Sequence, residues 1–239
     1  MKIKPPQSSE RGGVLVWILI AVALFAALSF AILRDGNSGT ATRIMSDAQA
    51  RLAAIEIVAY GNELKQAVQR LQIRGCSENE LDFGNTAWIA TTTGEIIQPT
   101  GHNPNAPPTG CSIFQPGDGG ISARTFPSAF FTTISGAPVN YGVARISKAS
   151  VPGVGVENNQ ELLYRLSLVN KEICLKINEI LGIENPGGLI PETAGALSLY
   201  SGDLGQGAPI ADISGKIRGK TAFCASGTER RYYLVLIAR

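Results

Sequence analysis

The sequence predicts an α+β protein. Its N-terminal transmembrane helix continues into an amphipathic helix, which packs on a small mixed or antiparallel β-sheet domain with a second helix. Three observations carry this prediction. Residues 14–33 form an apolar run without a single charge. Two longer stretches repeat apolar residues every three or four positions, as one face of a helix requires. Around them lie short β-like runs separated by Gly, Pro, Asn and Thr, closing with the almost continuous apolar run 232–238.

Composition narrows the function classes. The chain has 239 residues, with 21 basic and 19 acidic side chains and a net charge of +2. That balance supplies no general field for a polyanion, so no nucleic-acid partner is expected. Charged residues make up 17%, below the roughly 25% of ordinary soluble chains. A single histidine leaves little material for His-based catalysis or metal binding. The expectation is a protein that is not an enzyme, with no cofactor and no metal site.

The apolar run explains the low charge. A helix of about 20 residues crosses the roughly 30 Å hydrocarbon core, and Ser29 is the only polar side chain in this one. Lys2, Lys4 and Arg11 precede it against Glu10 alone, whereas Arg34 and Asp35 follow and cancel. The positive-inside rule then makes residues 1–13 a cytoplasmic leader. It places a single pass in the inner membrane and sends the C-terminal domain to the periplasm or beyond. A cleaved secretory signal competes, with Ser29-Phe30-Ala31 as its site, although its apolar region usually runs about 7–15 residues. Ala23, Ala27 and Ala31 recur every four residues, the small-x-x-x-small spacing that lets membrane helices approach.

Residues 34–74 read as a hinge and a spine. Gly36, Asn37, Ser38 and Gly39 break the chain, and residues 40–74 form the amphipathic helix. Ile44, Ala48, Leu52, Ile55 and Val58 mark its core face; Leu64, Val68 and Leu71 resume it after a slip at Gly61-Asn62, where a bend or a register shift is expected. Gly75 is its terminator. Residues 75–239 form the exported domain. Strands are expected at 87–91, 95–98, 112–114 and 139–146, a hairpin at 91–94, and a loop at 99–110. A second helix is expected at 158–181, capped by Asn158 with Glu161, its face made of Leu162, Leu166, Val169, Ile173, Ile177 and Ile180. Strand 220–225, turn 226–231 and strand 232–238 close the domain, the last central or well covered because it is apolar on both faces.

All four cysteines follow the membrane run. Export favours two disulfides, and four cysteines allow three connectivities. Cys76–Cys111 with Cys174–Cys224 is the expected pairing, because each bond then ties the end or flank of a predicted helix to nearby β or loop structure. No C-x-x-C pair supports a redox or zinc reading.

Other candidates read as structural. His102 lies in a loop and has no nucleophile motif to serve. Asp118, alone among glycines, reads as a turn residue and not a calcium loop. Lys216, Arg218 and Lys220 alternate as the solvent face of a strand. Arg230 and Arg231 share a turn, and Tyr232 with Tyr233 read as core.

The layout as a whole resembles the type IV pilins and type II secretion pseudopilins: a basic leader ending in Arg11-Gly12-Gly13, an apolar helix, an amphipathic continuation and a disulfide-bearing β domain. The resemblance implies cleavage by a prepilin peptidase between Gly13 and Val14. It also implies packing against other pilin-like subunits through the N-terminal helix. The family usually has Phe or Met after the cut and Glu at the fifth mature position; here those are Val14 and Ile18. Minor subunits at a filament tip can lack that Glu, so the departure points to a minor or tip-type subunit. The competing classes are a membrane-tethered, monomeric periplasmic binding module and, less favoured, a tethered enzyme.

Overall fold

The computed structural model describes residues 17, 18, 20–22, 45–85, 87, 88, 101–132, 144–195, 197–207 and 209–239. The chain divides into two units, Met1–Ile44 and Met45–Arg239. Of the first, residues 17, 18 and 20–22 are helical and exposed. Among the described residues no helix is long and apolar enough to cross a membrane; most of the run 14–33 lies outside them. So do the expected strand 95–98 and hairpin 91–94.

The second unit is α+β and its main sheet is antiparallel. Helix α1 spans Asp47–Ile73. Ser46 opens it with a reciprocal capping box, its Oγ accepting from the Gln49 N–H while the Gln49 side chain accepts from the Ser46 N–H. Gly75, at φ 100°, closes it: the Gly75 N–H donates to the Gln72 carbonyl and the Cys76 N–H to the Leu71 carbonyl, the paired bonds of a Schellman motif.

Five strands follow, β1 (Ala144–Ala149), β2 (Glu161–Ser167), β4 (Ser198–Leu199), β6 (Ala222–Ser226) and β7 (Arg230–Ile237), in the order β4-β1-β2-β7-β6. Strands β3 (Thr193–Ala194) and β5 (Ala211–Asp212) form a separate ribbon. Helix α2, Lys171–Ile180, sits between β2 and β3 in the chain. As its two apolar faces require, β7 is interior, between β2 and β6. One face of the sheet packs Leu162, Tyr164, Leu166, Tyr232 and Leu234 against Ile57, Tyr60 and Leu64 of α1. The other buries Leu163, Phe223, Tyr233 and Val235 under Ile183, Ile210 and Ile217.

Four expectations are corrected. The helix expected at 158–181 is a strand, a turn and a shorter helix. Asn158 has φ 67° and caps nothing; Asn170 is the cap, accepting from the Glu172 N–H at 3.1 Å. Leu162 and Leu166 satisfied a helical spacing, but they satisfy a strand's period of two equally well, and β2 is buried along its whole length, so no alternation betrayed it. Residues 112–114 are not a strand; Ser112 makes one isolated bridge to Asp82. Of 87–91, Ala87 and Trp88 lie in a turn, and the rest is outside the described residues.

The third correction concerns α1. It does not break at Gly61. A Cβ there would stand 2.9 Å from Leu234 Cδ2 and 3.0 Å from the Tyr232 hydroxyl, so glycine allows the close approach of helix to sheet. Ala50, Ala53, Ala54, Gly61 and Ala67 are buried with Ile57, Tyr60, Leu64, Val68 and Leu71 on the side of α1 that packs on α2 and β7. The face expected to be core in the first half of the helix points outward instead. The fourth is that residues 216–220 are not a strand. Asp212 accepts from the backbone N–H groups of Lys216, Ile217 and Arg218, a turn that sends Ile217 into the core.

Burial of Glu161 sets a pH dependence. Its side chain is inaccessible to solvent. One oxygen accepts from the Val151 N–H at 2.7 Å, while the other has no partner. Desolvation raises the carboxyl from 4.5 to about 6, outweighing the Val151 hydrogen bond. A raised carboxyl binds its proton more tightly when folded, so its charge costs stability above that pH, and the cost vanishes as pH falls through the unfolded value. The cost is about 2 kcal/mol. Wild type should therefore gain about that much on acidification from about pH 7 to about pH 4.5 relative to Glu161→Gln. Urea midpoints at both pH values measure it; parallel profiles would refute it.

Candidate functional site

The processing residues Gly13 and Val14 and the packing residues Ala23, Ala27 and Ala31 lie outside the described residues. The cysteines are all placed. Cys76 bonds Cys111 and Cys174 bonds Cys224, with Cα separations of 5.8 and 5.4 Å. The first ties the C-terminus of α1 to the loop that follows; the second ties α2 to β6.

The outer face of α1 exposes large aliphatic residues. Leu52 is 68% exposed and Ile55 47%, and Ala48 and Ala59 continue the stripe at helical spacing. Intrinsic propensity keeps these residues helical whichever way they face. In the first half of α1 the buried side is Ala50, Ala53, Ala54 and Ile57, and Leu52 and Ile55 stand on the other.

At the other end of α1 a loop platform wraps the helix. Arg70 donates to the Gly119 carbonyl at 2.9 Å, and Arg74 to those of Gly117 and Asp118. The Asp118 carboxylate accepts from the N–H groups of Gly110 and Ser112, the turn role expected for it. The Tyr60 hydroxyl donates to the Ser122 carbonyl and accepts from the Arg124 N–H; burial pushes its pKa up. Trp88 donates to the Arg124 carbonyl and stands edge-on to Tyr60.

His102 is 49% exposed on its side chain and lies 3.2 Å from Asp82. That carboxylate also accepts from the N–H groups of Asn103 and Gly84, so it pins a loop. Buried Asn103 donates to the Asn79 and Leu81 carbonyls. Among the described residues no three His, Cys, Asp or Glu side chains gather as a metal site.

Sequence reasoning missed the polar residues that organise the interior. Asn178, fully buried on α2, accepts from the Cys224 N–H at 2.8 Å and donates to the Cys224 carbonyl at 2.9 Å. Its amide thus substitutes for a neighbouring strand beside the Cys174–Cys224 bond. An Asn in an apolar helix face was the available signal, since such a residue is buried only with its hydrogen bonds met. Arg230 begins β7 and does not lie in a turn; it donates to the Val169 carbonyl and the Thr132 hydroxyl. Arg231 pairs with Glu229 at 2.6 Å. Tyr232 and Tyr233 are core residues.

No protein-family model, curated protein or solved structure matches this chain.

Proposed function

We propose that this protein is a structural subunit of an envelope assembly, pilin-like or pseudopilin-like and of the minor or tip type. In this reading residues 14–33 anchor it in the inner membrane, and the unit from Met45 onward stands in the periplasm or outside the cell. The observation that carries the reading is the unpartnered aliphatic stripe of Leu52 and Ile55 on α1, the helix that follows the apolar run in the chain. A monomeric tethered module has no use for exposed aliphatic residues on the helix nearest its anchor, whereas a packed subunit has a neighbour to cover them. Both disulfides agree with an oxidising compartment. Prepilin peptidase and other subunits of the same kind are the partners.

The test is the mass of the mature N-terminal peptide. Cleavage between Gly13 and Val14 is expected, and Gly13→Leu should retain the leader. A protein that begins at Met1, or beyond Ala31, would favour the tethered binding module. Bulky replacements at Ala23, Ala27 and Ala31 should leave membrane insertion intact and weaken cross-linking to neighbouring subunits.

A further inference from the structure

The sheet face turned away from α1 carries positive charge that its surroundings do not neutralise. Arg145 in β1 stands directly opposite Arg165 in β2. Arg165 is in turn opposite Tyr233 in β7, and Arg231, two residues from Tyr233, is opposite Ser167. Strand alternation sets Arg145, Ser147, Arg165, Arg231 and Tyr233 on one face, the face whose core includes Leu163 and Tyr233. Like charges directly opposite each other destabilise paired strands, so this arrangement has a cost.

The cost is deepened by burial. Arg165 is only 9% exposed, and its Nε has no hydrogen-bond partner; the Oγ of fully buried Ser147, two pairs along the ladder on the same face, has none either. Desolvation first, then the charges of Arg231 and Arg145, pulls the Arg165 guanidinium down to about 10. Glu229 is the one carboxylate paired with any of the three arginines among the described residues, and it pairs with Arg231. Residues 133–143, which lead into β1, contain no acid. Arg145 and Arg165 thus have no carboxylate partner among the described residues. Beside Arg231 and Tyr233 opens a cavity of about 360 Å³, lined also by Thr193, Thr228 and the exposed Glu192; Arg145, Arg165 and Ser147 are not in its wall.

We propose that this face binds a phosphate dianion, free or esterified, held by Arg145, Arg165 and Arg231 with the Ser147 hydroxyl as a further donor. Arg165 Nε and the Ser147 hydroxyl can each donate to an acceptor; the unpaired Glu161 oxygen on the same strand face lies four residues from Arg165. The two guanidinium groups left without a carboxylate partner suit a phosphate group, which carries about −1.5 to −2 near neutral pH. Planar guanidinium forks suit its oxygens in pairs.

Calorimetric titration of the full chain in detergent tests it, with inorganic phosphate and glycerol 3-phosphate as probes and sodium chloride at matched ionic strength as control. Saturable binding of at least one probe is expected; the tighter probe tells whether the ligand is the free ion or an esterified group. Arg145→Gln, at a partly exposed position, should weaken binding by about tenfold or more. Arg165→Met should abolish it without lowering the melting temperature of the ligand-free protein, because the change removes a buried unpaired donor. No saturable heat from either probe, or unchanged affinity in Arg145→Gln, would overturn the proposal.

Discussion

Cys174→Ser is expected to lower the stability of the unit from Met45 to Arg239 by about 2–5 kcal/mol and to leave Cys224 open to alkylation in denaturant. The bond closes a loop of sequence separation 50, for which chain entropy alone gives about 4 kcal/mol. Both sulfurs lie in the core without solvent exposure, so serine also buries a hydroxyl where a bond stood. Urea denaturation of oxidised wild type and variant measures the difference. A change below about 1 kcal/mol would mean that the denatured chain is already constrained elsewhere. Recovery of Cys174 linked to Cys76 in a non-reduced peptide map would refute the pairing itself.

Asn178→Leu should cost a similar amount, about 2–5 kcal/mol, although leucine suits an apolar helix face better by composition. The substitution strands both the N–H and the carbonyl of Cys224, each of which now bonds the Asn178 amide. Asn178 also donates to the Asn185 side chain at 2.9 Å, and Asn185 donates to the Leu175 carbonyl, so the turn after α2 loosens with it. The amide of Cys224 should exchange with solvent markedly faster in the variant. Asn178 and the Cys174–Cys224 bond hold the same residue of β6, so the two changes should not add. A double-mutant cycle should give a coupling of about 0.5–3 kcal/mol; strict additivity would show that the amide and the disulfide act independently.

Periodicity read the second half of α1 and the final strand well, and misread the first half of α1 and β2. The second half of α1, with Leu64, Val68 and Leu71 inward, and its stop at Gly75 followed from spacing and capping chemistry. The final strand followed from an apolar run too short for a buried helix and too continuous for a surface strand. The cysteine pairing followed from where helix ends lay relative to the loops. By contrast, β2 is buried on both sides, and its leucines fit two periods at once; only its hydrogen-bonded neighbours β1 and β7 select the strand. The arginine-rich face was equally hidden, because Arg145, Arg165 and Arg231 are far apart in sequence and meet only through strand register.

Local chemistry by itself thus determined the apolar run at 14–33, the stop of α1 at Gly75, the oxidised state of four cysteines and the α+β class. These depend on residues within a few positions of one another, or on composition. The start of α1 at Asp47, behind the Ser46 cap, was not read, the helix having been expected from residue 40. Tertiary structure decided which side of α1 is covered. Leucine and isoleucine at 52 and 55 offer more transfer free energy than the alanines beside them, yet Ala50, Ala53 and Ala54 are buried and they are not. Gly61 against Leu234 and Tyr232 marks the close approach of helix to sheet. Burial on this helix was settled by what packs against it, and Leu52 and Ile55 were left on the exposed side.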